Sequence, residues 1–169
     1  MSDLYTVISA TNRLNSNTLK VAKQYVQLLQ NRHLNVQLFT LEGWKWLARD
    51  PEFTGIEASI LAPSTKFVFV VPEYNGSIPG VLKVMFDISS YKETWYGRKA
   101  LLTGIATGRA GNLSGMEHLT SILHYLNVVV HPNKLPISSV DKLLDPAGFI
   151  ADELTLRAMK HQLDEFTGF

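Results

Sequence analysis

Phe67-Val68-Phe69-Val70-Val71-Pro72-Glu73-Tyr74-Asn75-Gly76-Ser77-Ile78-Pro79-Gly80 is the stretch whose reading decides the fold. The first five residues form the most hydrophobic run of the chain, as in a strand buried on both faces. Val81, Leu82, Met85 and Phe86 follow at helical spacing. The segment between them therefore marks a buried strand emerging and turning into a helix. In open α/β sheets that is the edge where ligands bind. Two prolines and two glycines restrict the loop, and its polar and aromatic groups suit a flat, heteroatom-rich ligand. Ser77 ahead of Ile78-Pro79 reads as a helix N-cap with proline in the first turn.

The same alternation extends in both directions. Leu4 to Ser9 reads as a strand, followed by Leu19, Ala22, Val26 and Leu29 at helical spacing. Val36 to Phe39 is a short alternating strand of edge type, and Ala100 to Ala106 is a second continuous apolar run. Met116, Leu119, Leu123 and Leu126 mark a helix, Asn127 to Val130 a last strand, and Leu156, Met159, Leu163 and Phe166 a terminal helix. Between Phe39 and Phe67, Gly43 to Leu47 and Ile56 to Leu61 are expected to form short helices, with Trp44 and Trp46 as packing or subunit-contact residues. Strands alternating with helices imply a parallel sheet covered on both faces.

Composition narrows the function. At 169 residues, with 46% hydrophobic side chains, one domain spanning 1–169 is expected. A net charge of +1 gives no reason to expect nucleic acid or an anionic membrane as partner. Cysteine is absent, which removes disulfides, thiolate metal sites, iron–sulfur clusters and cysteine nucleophiles together. No apolar run approaches the roughly 20 residues of a membrane span and the start has no signal-peptide pattern, so a cytoplasmic location is expected. His33, His118, His124, His131 and His161 show no metal-ligand spacing, and structural roles are expected for them.

Three loops follow the three most central strands. The first, Ser9 to Thr18, collects hydroxyls, amides and one guanidinium ahead of a helix. Such a loop either caps the helix and meets solvent, or offers an anion free N–H groups, hydroxyls and Arg13. It contains neither a G-x-x-x-x-G-K-[ST] nor a G-x-G-x-x-G pattern, so P-loop and Rossmann dinucleotide sites are not supported. The third, Thr107 to Gly115, has glycines that permit close backbone approach to a ligand edge, or make an ordinary turn. It lacks the G-x-S-x-G spacing of a hydrolase elbow.

Pro72 to Gly80 followed by Val81-Leu82-Lys83 closely resembles the signature of the NAD(P)H-dependent FMN reductase family. The resemblance covers nearly the whole chain. It implies a flavodoxin-like three-layer αβα sandwich with a five-stranded parallel sheet of order 2-1-3-4-5. It also implies FMN as cofactor and NADPH or NADH as hydride donor. The phosphate would sit among Ser9, Thr11, Arg13, Ser16, Asn17 and Thr18, which match the family's loop; Ala10 stands where glycine is common. Pro72, Glu73, Tyr74, Asn75 and Gly76 would line the flavin ring, and Thr107, Gly108, Arg109 and Gly111 would approach its pyrimidine side. No side-chain acid, base or metal is demanded, because the flavin carries the chemistry. Acceptors in that family include free flavins, quinones, azo compounds and metal oxyanions. The resemblance also implies a homodimer or homotetramer, with Trp95 and Tyr96 as candidate contact residues. The alternative is a flavodoxin-like electron carrier or FMN-binding module without efficient NAD(P)H oxidation; a third reading is a phosphosugar- or nucleotide-binding protein without flavin.

Overall fold

The computed structural model describes residues 3–169. Strand β1 (Leu4–Ser9) leads to helix α1 (Asn17–Gln30) and strand β2 (Asn35–Thr40). Helix α2 (Pro51–Ile56) continues as a wider helical turn over Glu57–Leu61 and precedes strand β3 (Lys66–Pro72). Helix α3 (Gly80–Ile88), strand β4 (Lys99–Ile105) and helix α4 (Leu113–Tyr125) come next. The chain closes with β5 (Val129–Val130), β6 (Leu135–Ile137), the short α5 (Val140–Leu143) and α6 (Glu153–Gly168).

The sheet is parallel with strand order β2-β1-β3-β4-β5, and β6 also pairs with β4. This is the expected flavodoxin-like order. Every residue of β3 is buried, whereas β2 at the edge is only partly covered, as their hydrophobic patterns require. Alternation of side chains along the strands divides the core in two. Tyr5, Val7, Val68, Val70 and Leu101 face α1 and α6; Ile8, Phe67, Phe69, Ala100 and Leu102 face α3 and α4. Burying both faces of a continuous parallel sheet explains why its central strands are mostly apolar, with Thr6, Ser9, Lys66 and Thr103 as their buried polar residues.

Four expectations are corrected. The last strand is not Asn127 to Val130 but two pieces, β5 and β6, set against opposite ends of β4: Lys99 pairs with Val129, and Ile105 with Ile137. Gly43 to Leu47 form no helix; this segment is an irregular turn in which Trp44 packs on Phe39 and Phe53 and donates its indole N–H to the Trp46 carbonyl at 2.7 Å. Ile56 to Leu61 are helical as expected. Ser77 does not cap α3, because its backbone is spent in a hairpin and its hydroxyl bonds His118 Nδ1 at 2.8 Å; Pro79 occupies the cap position instead. Trp95 is fully buried among Phe67, Phe69 and Phe86, so it cannot border a neighbouring subunit. No helix among the described residues is long and apolar enough to cross a membrane.

Candidate functional site

Strands β1, β3 and β4 end side by side at one edge of the sheet, and their loops close around a cleft of about 330 Å³. Arg13 to Thr18 form one wall, Pro72, Glu73 and Tyr74 a second, and Ile105, Ala106 and Thr107 a third; Val140 completes the lining.

The first wall is built by the start of α1. Ser16 is its N-cap: the backbone is extended, and the side-chain oxygen accepts the Leu19 N–H at 3.1 Å. That bond uses a lone pair and leaves the hydroxyl proton free to point outward. The N–H groups of Asn17 and Thr18 occupy the first helical positions and have no acceptor within the helix. Ser9, the last residue of β1, is fully buried, and its hydroxyl has no protein partner. An unpaired buried hydroxyl at the end of β1 is the kind of group that a polar partner would satisfy. Ala10 avoids left-handed backbone, so the alanine is accommodated without strain.

Thr11 joins the first wall to the second. Its hydroxyl lies 2.5 Å from the Tyr74 hydroxyl and accepts the Arg13 N–H at 3.3 Å. The Arg13 guanidinium lies over the Tyr74 ring, 4.2 Å from its centroid. Beyond Tyr74 the chain makes a two-residue hairpin. Tyr74 N–H donates to the Ser77 carbonyl at 2.9 Å and Ser77 N–H to the Tyr74 carbonyl at 3.1 Å. Asn75 (φ 52°) and Gly76 (φ 74°) both take positive φ, the signature of a type I′ turn for which Asn-Gly is the preferred pair. The Glu73 side chain is exposed, and its N–H donates to the Ile105 carbonyl at 3.0 Å.

The third wall is braced from behind by the corner after β6. Ser139 N–H donates to the Gly108 carbonyl at 3.0 Å, Val140 N–H to the Ala106 carbonyl at 3.0 Å, and the Ser138 hydroxyl to the Arg109 carbonyl at 2.5 Å. Gly111 (φ 57°) is buried against this corner, where a Cβ would lie 2.8 Å from backbone atoms of Pro136 and Ile137.

The cleft thus brings together Arg13, Ser16, Asn17, Thr18, Pro72, Glu73, Tyr74 and Thr107. Ser9 and Thr11 are buried and outside the lining, and Gly108 and Arg109 are exposed on the loop that follows the third wall. Asn75 and Gly76 stand at the exposed hairpin tip, outside the lining. Gly111 serves packing below the loop. The lining residues absent from the sequence expectation are Leu14, Asn15, Ile105, Ala106 and Val140. Leu14, Asn15 and Ala106 adjoin predicted site residues and Ile105 is the last residue of β4; Val140 comes from a segment with no periodic or motif signal. Cationic and hydroxyl donors gather at the α1 end, and aromatic, apolar and backbone surface gathers elsewhere. That distribution suits a ligand with an anionic tail and a flat body. Among the described residues, no cluster of His, Asp and Glu could hold a metal ion.

Residues 5–142 match the family model described as NADPH-dependent FMN reductase. A 2-hydroxy-1,4-benzoquinone reductase of a Burkholderia species is 27% identical over 123 residues, 70% of this chain and 67% of that protein. An NAD(P)H-dependent FMN reductase of Pseudomonas aeruginosa is 34% identical over 101 residues, 57% of this chain and 54% of that protein. The fold superposes on FerB, a flavoenzyme NAD(P)H:acceptor oxidoreductase from Paracoccus denitrificans, with a TM-score of 0.74 at 19% identity, covering 98% of this chain and 95% of that one.

Proposed function

The chain belongs to the NADPH-dependent FMN reductase family, a family of flavin oxidoreductases, and on that footing we propose that it binds FMN in this cleft and passes electrons from NADPH or NADH to a small oxidised acceptor. The observation that carries the reading is the α1 end of the cleft. Arg13, the Ser16 hydroxyl and the free N–H groups of Asn17 and Thr18 all line that end, a set of donors suited to a phosphate. The helix dipole, the guanidinium and charge-assisted hydrogen bonds all favour an anion at that point.

The remaining residues have positional roles. Tyr74 is fixed by its bond to Thr11 and offers a flat aromatic wall. Pro72, Glu73 and Thr107 contribute backbone and small side-chain surface at the strand ends, while the Asn75-Gly76 turn sets the height of the hairpin beside the opening. A bound FMN would supply the hydride-accepting and electron-donating chemistry, while Arg13, Ser16, Tyr74 and the strand-end backbone would hold and orient it. Free flavins, quinones, azo compounds and metal oxyanions are the acceptor classes to test, and the Burkholderia relative's name makes a hydroxybenzoquinone the first. We take residues 1–169 as one FMN-binding unit that works in the cytoplasm as a homodimer or homotetramer. Tyr96, 58% exposed, is the contact candidate that survives the burial of Trp95. A monomer mass by light scattering at micromolar concentrations argues against that assembly.

The deciding experiment is an absorption spectrum of the protein with FMN, recorded before and after anaerobic NADPH. A protein-bound flavin band that bleaches within the mixing time is expected. Flavin that binds but is reduced only slowly supports an electron-carrier role instead. Protein that takes up no flavin overturns the proposal.

A further inference from the structure

A second groove, of about 230 Å³, opens beside the cleft and shares Asn15 and Ser16 with it. One side is the outer face of α1, with Lys20 and Lys23 three residues apart and so on the same face. The other side is the loop after α5, carrying Gly148 and the partly exposed ring of Phe149. Neither lysine pairs with a carboxylate among the described residues; Lys20 Nζ reaches only the Asn17 amide oxygen, at 3.4 Å.

The groove is preformed. Buried Gln24 on α1 clamps the opposite loop, donating to the Ile150 carbonyl at 3.2 Å and accepting its N–H at 2.8 Å. The Phe149 N–H is held by the Asp145 carboxylate at 2.9 Å, and an antiparallel bridge joins Leu144 to Ile150. Gly148 takes φ +88°, and the Lys20 stem packs where its Cβ would stand, 3.2 Å away. The lysine is thereby laid along the groove.

We propose that this groove is an adenylate subsite and that the flavin site accepts FAD as well as FMN. The inference rests on the reading of the adjoining cleft as a flavin site. In FAD a second phosphate is bonded directly to the first, followed by ribose and adenine. A groove that begins at Ser16, next to the position assigned to the flavin phosphate, meets that connectivity. It offers two unpaired cations for the second phosphate and an aromatic face for the base. A pyridine nucleotide, approaching the flavin ring at the far end of the cleft, has no such continuity with Ser16.

The test is calorimetric titration of flavin-free protein with FMN and FAD at 0.15 M salt, for wild type, K20A/K23A and Phe149→Ala. Wild type is expected to bind FAD no more weakly than FMN. Removing two solvent-facing ion contacts is expected to weaken FAD about tenfold. FMN should weaken less than about threefold, since only screened long-range attraction is lost. Phe149→Ala is expected to weaken FAD about fivefold or more through lost stacking on the base, with FMN unchanged. Equal losses for both flavins, FAD affinity indifferent to both variants, or wild-type FAD binding tenfold weaker than FMN overturns the adenylate subsite while leaving the FMN reading intact. Wild type that binds neither flavin overturns the FMN reading itself.

Discussion

Arg13 is held between two uses of one charge. Over Tyr74 it makes a cation–π contact, worth about 0.5–1 kcal/mol at an exposed site. A charge-assisted hydrogen bond to phosphate is worth about 1.5–3 kcal/mol. The phosphate wins, so the stack is a resting position that a bound anion displaces. The net gain is then about 1–2 kcal/mol, and Arg13→Ala should weaken FMN about 5- to 30-fold. Riboflavin, which has no phosphate, should lose less than about threefold. Titrating both flavins into both proteins measures the difference; equal losses would make Arg13 a surface residue. Asn75 presents a similar division of roles, since its positive φ is a demand of the turn whatever its side chain touches. Asn75→Ala should cost about 1 kcal/mol of stability, whereas Asn75→Gly tolerates the same φ and should stay within a few tenths. If the amide also contacts flavin, both variants lose up to about tenfold in FMN affinity. Thermal melting and titration of the pair separate turn from contact, and unchanged FMN affinity in Asn75→Gly would restrict Asn75 to the turn. The donors of the first wall were legible because capping residues and an arginine cluster before a helix. Val140 was not, since only the return of the chain through β6 brings it to the cleft.

At the scale of elements, the corner from β4 into α4 depends on three missing side chains. A Cβ on Gly104 would lie 2.3 Å from the Gly111 carbonyl oxygen, and one on Gly115 would lie 2.0 Å from Asn112 Oδ1. The Asn112 side chain occupies that space to donate to the Val71 carbonyl at 3.0 Å, which ties α4 to β3. Gly104→Ala should therefore destabilise by about 2–3 kcal/mol, at the upper end of ordinary overpacking, because the obstruction is backbone. Urea unfolding checks this, and a loss under 0.5 kcal/mol would mean the corner yields freely. Helix α6 adds a pH-dependent element. Asp152 caps it, and hydrogen bonds from the Thr155 hydroxyl and then the Thr155 N–H hold its carboxyl below the ordinary 3.8. A depressed carboxyl pKa contributes stability that is complete above its unfolded value and lost as pH falls through its folded value. Asp152→Asn should accordingly lose that contribution near neutrality, with the gap to wild type closing and the acid limb flattening below about pH 4. Identical acid limbs would show the cap to be energetically silent. Most elements were legible because long apolar runs and helical stripes report burial directly. The split of the fifth strand was not, because β6 is only three residues long and contains Pro136. Proline is tolerated there because β6 pairs on one side only, with β4. The Gly43 to Leu47 turn was not legible because its tryptophans, two residues apart, carry no helical period, and only the fold brings Trp44 onto Phe39 and both indoles onto Phe53.

At the scale of the whole molecule, the sheet separates two cores, and the cleft sits where both end. Ser9 lies at the end of the strand whose Tyr5 and Val7 face α1 and α6, whereas Phe69 and Trp95 pack on the other side. A ligand in the cleft touches loops from three adjacent strands, so opening any one of them must release it. Binding should then stabilise the molecule as a unit and not merely order one loop. Mass action sets the size: FMN at 100 times its dissociation constant adds about 2.7 kcal/mol. For a chain of this length each kcal/mol moves the melting temperature by about 2–4 °C, so saturation should raise it by about 5–11 °C. The rise should grow with the logarithm of FMN concentration, and Arg13→Ala should displace the curve to higher concentration by its own affinity loss. A scan that separates into two transitions, only one of which moves with FMN, would show that the cleft couples to one core alone. A single transition that shifts with FMN is the result expected of loops anchored in a sheet common to both cores.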